Sequence, residues 1–154
     1  MSTRAFLTRT SGTVSCAAPF PAPGTGRAAA VVVWRLRERL DARHPFELSG
    51  TLAVPFEIVG AEGVLAVVES TTSTKLRLRY GSLDLRAERV SLPDAILAAL
   101  DAALVDSERL WYTERILAPG DRVEIMGELA PATGGPFRET RCLRTVHALR
   151  HSPG

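Results

Sequence analysis

Trp111-Tyr-Thr-Glu-Arg-Ile-Leu-Ala-Pro-Gly-Asp-Arg-Val-Glu-Ile-Met-Gly-Glu-Leu129 decides the fold class. Residues 109–117 read as a strand. Ala118-Pro-Gly-Asp121 reads as a turn, because proline presets φ and glycine supplies the positive φ that a type II turn requires. Residues 122–129 then alternate. Val123, Ile125, Gly127 and Leu129 share one face, and Arg122, Glu124 and Glu128 point away. Period two is the mark of a half-buried strand. Gly127 leaves room for a close backbone or a sharp bend.

The same period recurs on both sides. Downstream, residues 131–136 form a Gly/Pro turn and residues 138–149 a final strand. Upstream, residues 75–80 alternate, with Leu76 and Leu78 facing in. Residues 51–59 form a strand interrupted by Pro55, which implies an edge or a bulge. Gly60-Ala-Glu-Gly63 is a hairpin turn, and residues 64–69 are an apolar, central return strand. Residues 28–40 read as a long strand that begins Ala-Ala-Ala-Val-Val-Val and ends by alternating Trp34, Leu36 and Glu38 against Arg35, Arg37 and Arg39. A helix over residues 35–42 competes there, because Arg, Leu and Glu favour helices. Residues 19–26, rich in Pro and Gly, are a loop, and residues 12–17 a short strand.

One segment changes period. Ile96, Leu97, Leu100, Ala103 and Leu104 make a single helical stripe. Ser91 is placed as N-cap, Pro93 in the first turn and Asp94 at the positive end of the dipole. The expected fold is therefore mainly β with one helix, an α+β chain. Its architecture is a small OB-like β-barrel capped by an amphipathic helix near residues 93–106. Residues 1–10 are a flexible tail, 11–149 a single domain and 150–154 a C-terminal tail.

The whole-chain numbers agree with one globular domain. There are 154 residues, 45% hydrophobic and 23% charged, with a net charge of +2 from 19 basic and 17 acidic residues. That balance excludes bulk disorder and gives no overall pull toward nucleic acid or anionic lipid. The longest apolar run, residues 28–34, is far shorter than the roughly 20 residues of a membrane span. No apolar segment near the N-terminus suggests a signal peptide, so a cytoplasmic location is expected, with peripheral membrane association left open. Lys75 is the only lysine among the 19 basic residues, a coding bias that suggests a GC-rich, bacterial source. Two cysteines make no framework, although Cys16 and Cys142 would be bridgeable if the first and last strands paired.

No catalytic set emerges. Cys142, His147 and His151 are the best metal candidates, but Cys142 and His147 fall on opposite faces of a strand. His44 has no nucleophile beside it. Gly24-Thr-Gly26-Arg27 resembles the start of a phosphate loop but lacks the Gly-Lys-Ser/Thr ending and is followed by a strand. Glu124 and Glu128 lie about 13 Å apart along a strand, loose for paired-carboxylate chemistry. Catalytic, cofactor-binding and metal residues are accordingly none. Lys75, Arg77 and Arg79 share the outer face of one strand, and Arg35, Arg37 and Arg39 that of another. Such faces suit single-stranded nucleic acid when aromatic rings accompany them, but Trp34 and Tyr80 fall on the opposite sides.

The run from Trp111 to Leu129 resembles the closing part of the GIDE, or beside-a-membrane, domain. That family carries a Glu-x-x-Leu-x-Pro-Gly-Asp-x-Val-like run after a helix. Residues 54–68 resemble its Pro-Phe hairpin and residues 15–27 its opening loop, so the likeness spans residues 11–149. It implies the recognition barrel of membrane-associated E3 ubiquitin ligases. This chain departs from the pattern: it has no span, too few cysteines for a RING finger, and no Asp before the Gly60–Gly63 turn. What the likeness implies is a non-catalytic interaction module with a protein or membrane-associated partner. The expected contacts are Arg27, Lys75, Arg77 and Arg79, with the loops at 19–27 and 70–74. The alternatives are a single-stranded nucleic-acid-binding protein and an enzyme whose site carries no motif.

Overall fold

The computed structural model describes residues 7–38, 46–69, 75–76, 83–105, 107–130 and 142–152. Among them are twelve strands and one α-helix. The order is β1 (Leu7–Ser15), β2 (Phe20–Pro21), β3 (Ala28–Ala29), β4 (Val31–Glu38), β5 (Glu47–Ala53), β6 (Phe56–Gly60), β7 (Gly63–Val68), β8 (Lys75–Leu76) and β9 (Leu83–Arg86). Then come α1 (Asp94–Ala102), β10 (Leu110–Leu117), β11 (Arg122–Ala130) and β12 (Cys142–Ser152). The chain is mainly β with one helix, as the periodicities predict.

Two principal sheets form. One has six strands in the order β11-β1-β6-β7-β12-β8, and β11 also pairs with β12. The β7–β12 and β8–β12 pairings are parallel, and the other pairings of this sheet are antiparallel. The second sheet has the order β5-β4-β10-β9 and is antiparallel throughout. The small β2–β3 ladder stands apart.

Each sheet owns a core. Val14, Val31, Phe56, Ile58, Val68, Leu117, Val123 and Ile125 belong to the first. Val32, Trp34, Leu36, Ile96, Leu100, Leu110, Tyr112 and Ile116 belong to the second. This division explains the odd composition of β4. Val31 packs into one core and Val32 into the other, so both faces are apolar at the start of the strand. Beyond Val33 only one face stays covered. Trp34 and Leu36 are buried while Arg35 and Arg37 are exposed, as alternation predicts.

Two corners carry the chain from one sheet to the other. Pro55 does not bulge a strand; it separates β5 from β6, because a residue with no N–H ends the ladder. Ala118-Pro-Gly-Asp121 joins β10 to β11 across the two sheets. Gly120 takes φ +92° there, which an L side chain tolerates poorly. The Gly120 N–H donates to Val14 O at 2.8 Å, and the Val14 N–H to Asp121 O at 2.9 Å, so the corner is tied to β1. Gly60 and Gly63 pair at the base of the two-residue β6–β7 turn, as predicted.

Several expectations need correction. The tail placed at 1–10 is in part strand: Leu7 to Thr10 pair with Glu128 to Ile125, and polar Thr and Arg residues give no apolar signal for it. The tail placed at 150–154 overlaps β12, which runs to Ser152. β7 is buried only at Ala66 and Val68, while Val64 and Leu65 are exposed. The helix does not cap the six-stranded sheet. It lays Ile96 and Leu100 into the core of the four-stranded one. It is also shorter than 93–106. Pro93 takes the N-cap in place of Ser91 and presents its carbonyl to the Ile96 and Leu97 N–H groups. Leu104 turns left-handed at φ 55° and ends the helix. Among the described residues, no helix is long and apolar enough to cross a membrane.

Candidate functional site

Period two puts Leu110, Tyr112, Glu114 and Ile116 on one face of β10 and Trp111, Thr113 and Arg115 on the other. The inward face contains a carboxylate. Glu114 is fully buried, which is costly unless its oxygens find donors. Three do so. The Gly24 N–H donates to Oε2 at 2.9 Å, the Thr25 N–H to Oε1 at 3.0 Å, and the Tyr112 hydroxyl to Oε2 at 2.7 Å. Burial pushes the Tyr112 phenol well above its ordinary range; the hydrogen bond to Glu114 and the carboxylate's charge push the same way. Tyr112 is therefore a donor at any physiological pH.

The loop that Glu114 holds is otherwise internally braced. Ala22 N–H donates to Arg27 O, Gly26 N–H to Ala22 O, and Arg27 N–H to the Thr25 hydroxyl at 3.2 Å. Gly26 has φ +72°. A Cβ on Gly24 would stand 3.0 Å from the Glu114 carboxyl carbon, so any side chain there would crowd the carboxylate that the backbone binds. Thr25, Gly26 and Arg27 are left exposed on a fixed frame. The Gly24-Thr-Gly26 run is thus built around an acceptor, with its N–H groups turned inward to a carboxylate. That orientation removes Gly24 and Thr25 as phosphate donors. It also makes Glu114 a positioning residue, with both oxygens occupied.

The opposite face of the four-stranded sheet carries different chemistry. Trp111 stands across from Arg37 on β4 and from Arg86 on β9, and Thr113 stands across from Arg35. Arg35, Arg37, Arg86 and Arg115 are exposed and Trp111 is half-buried. The Arg86 guanidinium carbon lies 5.9 Å from the Trp111 ring centroid, within cation–π reach. Arg35 is bridged to Glu47 on β5.

The expected contact residues divide. Arg27 is exposed on the braced loop. Lys75 lies in β8 opposite His147. Arg77, Arg79, Tyr80 and the 70–74 loop lie outside the described residues, as do Arg39 and His44. Glu124 bridges Arg9 at 3.2 Å. Cys16 is a free thiol donating to Pro55 O at 3.5 Å, and β1 and β12 flank β11 instead of pairing with each other. Among the described residues no three His, Cys, Asp or Glu side chains converge as a metal site would need.

Sequence reasoning missed Glu114 and Trp111. The alternation of β10 held the signal for both: Glu114 shares parity with Leu110 and Ile116, and Trp111 with Arg115. No known protein family, curated protein or solved structure matches the chain.

Proposed function

We propose that this chain is a non-catalytic β-barrel interaction module, of the kind the GIDE resemblance implies, which binds a protein partner through the 22–27 loop and its exposed Arg27. The observation that carries the reading is Glu114, a buried carboxylate that accepts two backbone N–H groups of an exposed loop. A loop held in one conformation loses less entropy on binding than a free one. The only other buried charged side chain among the described residues, Asp121, serves the corner at Ala118, accepting from its N–H at 2.9 Å. Neither group is placed to exchange a proton with a substrate.

Strand connectivity supports the barrel half of the proposal. Pairings run from β1 to β6, β6 to β7, β7 to β12, β12 to β11 and β11 back to β1. Each of these strands has two neighbours within the series, as an OB-like ring requires, and β12 also pairs with β8 outside it. Helix α1 falls in sequence between β7 and β11. The four-stranded sheet is then an addition to the ring, and the helix belongs to the addition.

The test is cross-linking of the full chain in lysate of its source cells, read by mass spectrometry. A partner captured through the 22–27 loop, and lost with Arg27→Ala, supports the reading. Glu114→Gln should weaken the same capture, because an amide cannot accept both backbone N–H groups and the tyrosine hydroxyl. Capture insensitive to both substitutions, or turnover of a small substrate by the purified chain, would overturn it.

A further inference from the structure

The exposed face of the four-stranded sheet lies on the far side of β10 from Glu114, so it is a surface distinct from the 22–27 loop. We propose that this face binds single-stranded nucleic acid, with Trp111 as the stacking platform and Arg35, Arg37, Arg86 and Arg115 as the phosphate contacts. The inference goes beyond the loop-binding reading and does not depend on it.

Register sets the pattern. Neighbouring strands lie about 4.8 Å apart, and residues two apart on one strand about 6.8 Å apart. Trp111 sits between Arg37 and Arg86 on its two neighbouring strands. Arg35 and Arg115 lie further along the same face. Two arginines thus flank the indole and two lie further along the face, within a patch roughly 10 by 14 Å. Among the described side chains Glu47 shares the face and is bridged to Arg35; in the register Asp84 pairs with Thr113. The local balance remains positive in a chain whose total charge is only +2.

The choice of occupant follows from the mixture. A protein interface of ordinary kind needs an apolar centre, but the neighbours of Trp111 in the register are Arg37, Arg86 and, two residues along, Thr113, and the apolar Val33 at the far end of the face is half-buried against the first core. An acidic peptide would use the arginines and leave the indole idle. A single strand uses both: phosphates meet the guanidinium groups, and a base, which always has a π-face, stacks on the ring. The arginines belong to three strands of a hydrogen-bonded sheet, so they need little ordering to act together.

The test combines two readouts on the full chain. One is anisotropy of fluorescein-labelled oligothymidylate or oligouridylate of about 16 nucleotides. The other is tryptophan emission. The chain has two tryptophans, and Trp34 is buried in the core, so quenching by the oligomer reports Trp111. Binding through four phosphates should weaken roughly 50-fold between about 50 and 200 mM salt. Arg37→Ala with Arg86→Ala should reduce affinity about tenfold or more and lower the logarithmic salt slope by about 1.4. Trp111→Phe should keep the fold and most of the binding while abolishing the quench. Arg27→Ala should leave all of this unchanged, which separates the two surfaces. The proposal fails if no oligomer binds at low salt, or if the arginine pair has no effect. It also fails if polyglutamate competes equally and Trp111 emission does not respond, since the face would then be a general polyanion patch.

Discussion

Glu114 and Asp121 are both buried carboxylates that accept backbone N–H groups, yet they hold the molecule at different ranges. Asp121 reaches the N–H of Ala118, three residues back, and the Asp121 N–H returns a bond to Ala118 O at 3.1 Å. Glu114 reaches Gly24 and Thr25, some 90 residues away along the chain. The first carboxylate shapes a corner that its own neighbours already favour. The second joins a strand in the middle of a sheet to the tip of a loop whose base, at Ala22 and Ala29, packs into the same core. Local and distant anchors of the same chemistry should therefore fail in different ways.

Glu114→Ala should have the largest effect. It leaves two backbone donors and a hydroxyl without their acceptor in a buried site, at a cost of about 3 kcal/mol or more. Urea unfolding would measure the loss. Amide exchange should show the Gly24 and Thr25 N–H groups opening. Asp121→Ala should cost less, about 1–2 kcal/mol, because the Pro-Gly turn retains its own bias. Its exchange signature should appear at Ala118. If the two substitutions cost the same and both open the 22–27 loop, the distinction between local and distant anchor is lost.

The same contrast accounts for what could be read from residue order. Ala118-Pro-Gly-Asp121, Gly60-Ala-Glu-Gly63 and the buried face of β4 were legible because each depends on neighbours within a few residues. The passage of the chain between two sheets at Pro55 and Pro119 was not, since alternation on either side of a corner says nothing about which sheet a strand joins. Strand β9 was missed because four residues, Leu83 to Arg86, are too few to establish a period. The helix was legible as a helix, but the surface it covers was not: Ile96 and Leu100 name an apolar face, and any apolar sheet would satisfy it. For the candidate sites, the exposure of Arg27 follows from its place in a Pro/Gly-rich loop. Trp111 is not legible from one strand at a time, because the aromatic opposite Arg37 lies on the neighbouring strand and only the register brings the two together.

Tyr112 sharpens the account of Glu114 by removing one donor of three. Tyr112→Phe keeps the ring in the core and loses only the hydroxyl, so it should cost about 1.5 kcal/mol, the range of a hydrogen bond to a charged acceptor. The pH dependence has a definite sign. The phenol in the folded chain titrates above its unfolded value of about 10. Its contribution is fully present below pH 10 and is lost as the pH rises beyond that, because the unfolded chain ionises first. Wild-type stability should therefore fall between about pH 10 and 12 more steeply than that of Tyr112→Phe. Parallel curves would show that the hydroxyl does not matter to the anchor.

The smallest expected effect has the opposite direction and concerns a local turn whose residue does not suit it. Helix α1 ends with the Val105 N–H donating to Leu100 O and the Leu104 N–H to Asp101 O, the paired bonds of a Schellman motif. Glycine usually occupies the left-handed position of that motif, but here it is Leu104, with its side chain 94% exposed. Left-handed backbone costs a non-glycine residue about 1–2 kcal/mol, and the exposed side chain recovers little of it by packing. Part of the gain from glycine is offset by its greater freedom in the unfolded chain. Leu104→Gly should therefore stabilise the protein by up to about 1 kcal/mol, raising the urea midpoint without changing the slope. A local anchor can be improved by one residue because its whole geometry lies within six; Glu114, which depends on two distant segments meeting, offers no such single repair.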